Sequence, residues 1–138
     1  MEIKYISERP EIEKYIKLRE KVGWGNIEKE VVETSFNNTI YFVSAYDNEE
    51  LIGFGRMIGD MSMFLYIQDI MINPDYQGLG IGKKIVISII ENAKKLKNKN
   101  QNIRLYLGSV KGKEEFYRKL GFITREEKGL GQAMIYNE

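Results

Sequence analysis

Apolar positions along this chain follow two periods, and the places where one gives way to the other divide it into elements. Ile3-Lys4-Tyr5-Ile6 reads as a short first strand. Pro10 stands where the first turn of a helix needs no N–H. Ile12, Tyr15, Ile16, Leu18 and Val22 then form a helical stripe that stops at Gly23. Beyond the bend Val22-Gly23-Trp24-Gly25, Asn26 is placed to cap a second helix, with Ile27, Val31, Val32 and Phe36 on its apolar face. Thr39 to Tyr46 is rich in β-branched and aromatic residues and predicts a strand. Asp47-Asn48-Glu49-Glu50 predicts a hairpin turn, and Leu51 to Ile58 the returning strand. Gly59 to Ser62 turns the chain again, and Phe64 to Ile72 completes a three-strand meander.

The segment Leu79 to Lys97 carries two conflicting signals. Ile85-Val86-Ile87-Ser88-Ile89-Ile90 has the composition of a strand. Yet Ile81, Ile85, Ile89, Ala93 and Leu96, with Val86 and Ile90 beside them, make one wide face at helical spacing, and the segment is too long for an ordinary strand. A helix held by packing rather than propensity is the prediction. Ile103 to Leu107 then reads as a strand and Lys113 to Leu120 as a short helix stopped by Gly121. Phe122-Ile123 and Gln132 to Tyr136 read as two last strands around the loop Glu126 to Gly131. The sum is an α/β (α+β) chain: one domain spanning residues 1–138, with about four helices and a mixed sheet of about six to seven strands.

Composition narrows the chemistry. A formal net charge of +1 gives no global field for nucleic acid or an anionic membrane. The lysines from Lys94 to Lys99 suit the solvated C-terminal end of a helix. The chain has no cysteine and no histidine. Disulfides, thiolate nucleophiles, Ser-His relays and the usual zinc ligands are therefore excluded, and no metal site is expected. No apolar run reaches the length of a membrane span and the N-terminus carries no signal-like core, so a cytoplasmic protein is expected.

The informative stretch is Ile67 to Lys84. A buried-type strand ends at Asn73-Pro74, glycines follow at Gly78, Gly80 and Gly82, and then a helix begins. Strand, glycine loop and helix start form an anion site, because the first helical turn has unpaired N–H groups and glycines let a phosphate approach the backbone. A P-loop would need glycine at Gln77 and Ser or Thr at Lys84. A dinucleotide fingerprint would need its third glycine at Lys83 or Ile85. Neither fits. The run Gln77-Gly78-Leu79-Gly80-Ile81-Gly82 instead resembles the acetyl-CoA pyrophosphate loop of the GNAT superfamily of N-acetyltransferases. About forty residues on, Phe116-Tyr117-Arg118-Lys119-Leu120-Gly121-Phe122 is similar to that superfamily's Phe-Tyr-x-x-x-Gly-Phe signature. By itself this second motif is a helix with a glycine cap and packed aromatics. Val110 departs from the pattern, since many members have asparagine there.

The resemblance implies acetyl transfer from a thioester to a primary amine by direct attack in a ternary complex, with acetyl-CoA as co-substrate. It implies a strand that bulges and splays before the loop, so that the backbone of Ile70, Met71 and Ile72 faces the thioester. Gln77, Gly78, Leu79, Gly80, Ile81, Gly82 and Lys83 would surround the diphosphate, with Ser109, Lys113, Phe116 and Tyr117 along the rest of the cofactor. Tyr117 would protonate the departing thiolate. Asp69 is the first candidate for a base on the amine, equally readable as a structural hydrogen-bonding residue, with Glu33, Asp60 and Tyr66 behind it. Trp24, Arg56 and Tyr66 are the candidates to touch the acceptor. The acceptor itself, a small molecule or a peptide, stays open, as does a homodimer. A non-catalytic acyl-CoA-binding or regulatory module on the same fold is the alternative reading.

Overall fold

The computed structural model describes residues 2–96 and 104–138. They form two compact units, Met1–Gly108 and Ser109–Glu138. The first holds a five-stranded sheet in the order β1-β2-β3-β4-β5, built from β1 (Ile3–Ile6), β2 (Tyr41–Asp47), β3 (Glu50–Gly59), β4 (Phe64–Ile72) and β5 (Arg104–Leu107). Neighbours are antiparallel through β4, and β5 joins β4 in parallel. Helices α1 (Ile12–Lys21) and α2 (Lys29–Asn37) precede the meander, and α3 (Ile81–Leu96) follows it. The helix predicted from the stripe at Ile81 is thus present, while Lys97 and Ile103, at the edges of two expected elements, lie outside the described residues.

Strand alternation in β3 assigns the two faces of this sheet. Phe54 belongs to a cluster with Tyr15, Leu18, Val32 and Phe36, all buried, so α1 and α2 cover that face. Tyr15 meets Phe36 and Phe54 edge-on at centroid distances of 4.9 and 5.1 Å. The residues on either side of Phe54 are Gly53 and Gly55, and they lie under α3. A Cβ on Gly55 would sit 2.7 Å from both Ile70 Cδ1 and Ile85 Cγ2. The missing side chains let the helix settle onto the sheet with Ile85, Val86 and Ile89 fully buried. Burying such a side chain is worth roughly 1.5–3 kcal/mol, which outweighs the few tenths that each β-branched residue costs a helix.

Three expectations need correction. Among the described residues the sheet has five strands, not six to seven: Phe122-Ile123 and Gln132 to Tyr136 carry no ladder. The first is too short to pair. The second has adjacent rather than alternating apolar residues, and Met134, Ile135 and Tyr136 are almost wholly exposed. The second helix starts at Lys29 rather than beside Asn26, whose side chain accepts from the N–H of Ile27 (2.9 Å) in a local bond that competes with helix. The helix of the second unit, α4, is Glu114–Arg118, and the chain turns at Gly121 in a left-handed conformation (φ 102°). Among the described residues no helix is long and apolar enough to cross a membrane.

Candidate functional site

Asn73, at the end of β4, is buried and fixes the start of the glycine loop. Its N–H donates to the Ile52 carbonyl (2.8 Å), and its side-chain oxygen accepts from the N–H of Asp75 (2.9 Å). A single 3₁₀ turn, Pro74–Tyr76, follows, with the Tyr76 hydroxyl donating to Asp47 (2.6 Å). That bond pushes the Tyr76 phenol up to about 12. Gly78 and Gly80 both take positive φ (79° and 78°), and nothing lies within 4 Å of where their side chains would project. Conformation alone demands glycine there, and the space above the loop is open. The first bond inside α3 runs from Lys84 N–H to the Gly80 carbonyl (3.2 Å), so the N–H groups of Ile81, Gly82 and Lys83 have no partner within the helix. Ile81 is buried and anchors the loop, while Leu79 and Lys83 are exposed. Lys84 instead lies 5.0 Å over the Tyr5 ring. The result is a concentration of backbone donors at the positive end of a sixteen-residue helix.

Immediately before the loop, β4 is irregular in two ways. Phe54 pairs with Met71 and Arg56 with Gln68, so Asp69 and Ile70 together oppose the single residue Gly55. This is a β-bulge, and Asp69 sits in it with φ 57°, an uncommon conformation for a residue with a side chain. The second irregularity is that β5 stops early: its last pair with β4 is Ile67 with Leu107, so residues 68–72 have no strand partner on that side among the described residues. The Asn73 N–H points to β3, and an antiparallel ladder turns every second residue to the same neighbour. Met71 therefore also faces β3, and the Ile72 N–H faces the edge that β5 has left.

The carboxylate of Asp69 is engaged. Its Oδ2 accepts from Arg56 Nε and from the Tyr15 hydroxyl, both at 2.7 Å. The two ion-pair side chains are only 13% and 15% exposed, which places the pair in a weakly screened environment. Arg56 Nη1 also donates to Thr39 Oγ1 (3.0 Å), and Thr39 in turn donates to the Ser35 carbonyl (2.8 Å). Burial first, and then the neighbouring Asp69, push the Tyr15 phenol up to about 12. Arg19 lies near both the Tyr15 ring (6.0 Å) and the Trp24 ring (5.8 Å), and the Trp24 N–H closes the bend onto the Arg19 carbonyl (2.9 Å). Contacts thus run from the α1–α2 bend to the bulge of β4. Tyr15, Arg19 and Thr39 had no separate signal in the sequence. Tyr15 fits the apolar stripe of α1, and only the general need of a buried phenol for a partner pointed further.

Of the residues named for the acceptor, Arg56 is committed to Asp69 and Thr39, while Trp24 and Tyr66 are each more than a third exposed. Tyr66 stacks on Tyr106 (5.2 Å), which also stacks on Phe64 (6.1 Å). The other carboxylates considered as bases have structural partners. Glu33 pairs with Arg9. Asp60 Oδ1 accepts from the N–H groups of Ser62, Met63 and Phe64, which holds its carboxyl below the usual range. Among the described residues no three acidic or other ligating side chains gather as a metal site would require.

Ser109, Lys113, Phe116 and Tyr117 belong to the second unit. Ser109 donates to the Val110 carbonyl (2.8 Å), and Lys113 stands at the N-terminal end of α4. Tyr117 is buried, with Phe116 and Phe122 edge-on to its ring at 5.0 and 6.1 Å, and this burial raises its pKa. Arg118 clasps Glu127 across the following loop, whose carboxylate also accepts from the N–H of Thr124 (3.0 Å).

Comparison with known proteins gives a consistent result. A family model described as an acetyltransferase (GNAT) domain matches residues 15–133. The uncharacterized N-acetyltransferase ycf52 of Pyropia yezoensis is 30% identical over 125 residues, covering 86% of this chain and 70% of that protein. Its namesake from Gracilaria tenuistipitata var. liui is 34% identical over 112 residues, covering 78% and 59%. Among solved structures, a probable acetyltransferase from meticillin-resistant Staphylococcus aureus superposes with a TM-score of 0.84 at 29% identity, covering 98% of this chain and all of that one.

Proposed function

The chain belongs to the GNAT acetyltransferase family, and from that membership we propose that it is an acetyl-CoA-dependent N-acetyltransferase acting on a primary amine by direct attack in a ternary complex. The observation that carries this reading is the junction of β4 and α3. A loop of left-handed glycines with unpaired helix N–H groups directly follows a strand edge that has lost its neighbour. The loop backbone, residues 77–83, binds the diphosphate. The cofactor's arm extends along the free edge of β4, where the Ile72 N–H donates to the thioester oxygen. A backbone donor of this kind is effective because it is oriented before the reaction starts and develops its full strength as the oxygen becomes negative. It also explains how a chain without histidine or cysteine can catalyse acyl transfer.

The amine nitrogen forms a bond to the acyl carbon, the carbon–sulfur bond breaks, and the sulfur takes a proton. We assign that proton to the Tyr117 hydroxyl, which its buried surroundings keep protonated at neutral pH. Solvent then restores it. The nitrogen's own proton leaves through water. The reason is that Asp69 already accepts two hydrogen bonds on one oxygen and is ion-paired, which supports its structural reading over that of a base. Trp24 and Tyr66 are the side chains assigned to the acceptor. The test is thermal-shift screening with acetyl-CoA followed by thiol detection with a panel of amines. Stabilisation and amine-dependent thiol release are expected. Stabilisation without thiol release for any amine would favour a non-catalytic acyl-CoA-binding module.

A further inference from the structure

Asp69 is unusual twice over: it is a non-glycine residue in a left-handed conformation inside a strand, and its carboxylate is gripped by residues from two other elements. We propose that Tyr15, Arg56 and Asp69 act as positioning residues that lock the β4 bulge and thereby choose which backbone N–H faces the reacting carbonyl. This rests on the acetyltransferase reading for its consequence but not for its geometry.

The argument is one of register. Gln68 pairs with Arg56, and the extra residue at the bulge lets Met71, not Ile70, pair with Phe54. Remove the bulge, and every residue after it exchanges sides. Ile70 then pairs with Phe54, the Met71 side chain leaves the core where it is now buried, and the Ile72 N–H turns to β3. The bulge therefore sets the direction of the catalytic donor. An αL residue in a strand is held only where its surroundings over-determine it. Here Arg56 on β3 and Tyr15 on α1 converge on one carboxylate oxygen, and Thr39 fixes Arg56 from the other side. The ion pair crosses between adjacent strands at the point where the ladder is interrupted. It ties β4 to β3 where the register shifts.

The proposal separates a positioning Asp69 from a proton-accepting one, because asparagine tolerates the αL conformation and can accept from both donors but cannot serve as a base. In the full chain without ligand, cross-strand NOEs report the register. Wild type and Asp69→Asn should show Phe54 opposite Met71 and a positive φ at residue 69. Asp69→Ala should lose both, with Phe54 moving opposite Ile70. In a second arm, the acetyl-dependent shift of the Ile72 amide, taken as the difference between acetyl-CoA and CoA, should be present in wild type, largely kept in Asp69→Asn and lost in Asp69→Ala. Both ligands are used at saturation, because the register change also moves Asn73, which fixes the start of the glycine loop. If Asp69→Ala does not fold, Arg56→Gln carries the same two measurements. Asp69→Ala or Arg56→Gln keeping the wild-type register and φ overturns the proposal, whatever the cofactor does. If the wild-type chain binds no acetyl-CoA while the ligand-free arm behaves as stated, the function fails and the positioning role stands.

Discussion

The close approach of α3 to the sheet can be tested by adding one methyl group at a time to β3. A Cβ on Gly53 would lie 3.1 Å from Ile81 Cγ2 and Ile85 Cδ1 and 3.3 Å from Ala45 Cβ, contacts that shifts of a few tenths of an ångström relieve. On Gly55 it would lie 2.7 Å from Ile85 Cγ2, a branch atom that cannot swing away inside a helix, and 2.7 Å from Ile70 Cδ1. On Gly59 it would lie 2.1 Å from the Phe64 carbonyl oxygen, at φ 149°. Alanine gains about 0.5–1 kcal/mol over glycine in a strand because the unfolded chain has less freedom to lose. Overpacking of this kind costs about 1–3 kcal/mol. Gly53→Ala should therefore be near neutral, and Gly55→Ala should lose about 1–2 kcal/mol, or roughly 3–8 °C in Tm for a chain of this size. Gly59→Ala should be the most damaging, because backbone rather than side chain must move. Urea denaturation followed by tryptophan fluorescence measures all three. A Gly55→Ala variant as stable as wild type would refute the packing argument, and an order other than 53, 55, 59 would show that the distances do not control the cost.

Other expectations are briefer. Tyr117→Phe should lower kcat by about 10² or more while leaving the KM for acetyl-CoA little changed, because a proton donor acts in the transition state; an unaltered kcat would remove the assignment. Arg56→Met leaves the partly buried Asp69 carboxylate with only the Tyr15 hydroxyl as partner and should destabilise the fold by about 1–3 kcal/mol, measured by chemical denaturation. The clasp of Glu127, whose carboxyl the Thr124 backbone bond and then Arg118 hold down to about 2, has a defined pH window. A depressed carboxyl pKa stabilises the folded state above the unfolded value and loses that effect as pH falls through the folded one. The loop 124–129 should thus stay intact at pH 5 and loosen as pH approaches about 2, which the carboxyl carbon shift of Glu127 reports directly. A midpoint near that of an ordinary glutamate would contradict the clasp.

Local chemistry written in consecutive residues was legible from the sequence. The turn at Asn73-Pro74 and the glycine loop need only neighbours to form, and they stand as read, as does the strand Phe64 to Ile72, whose hairpin partner is the adjacent segment. So does α3, where the width of an apolar face outweighed strand-like composition. What was not legible depends on partners distant in sequence. The terminal apolar segments look like strands, but pairing is a property of two segments, and no ladder receives them. Asp69 reads in the sequence equally as a candidate base and as a structural hydrogen-bonding residue, because its alternation with Ile70 does not fix its face. The bulge breaks that alternation, and the partners of its carboxylate come 13 and 54 residues earlier. For Arg56 likewise, the sequence shows a charge and not its counter-charge.

The central claim is that the main chain of residues 77–83 holds a diphosphate and that the β4 edge beside it holds the thioester. A crystal structure of the chain with coenzyme A tests this most directly. The account predicts the diphosphate within hydrogen-bond distance of the N–H groups that open α3, with the sulfur alongside Ile72. Density for the ligand on any other surface, with the glycine loop unoccupied, would contradict it.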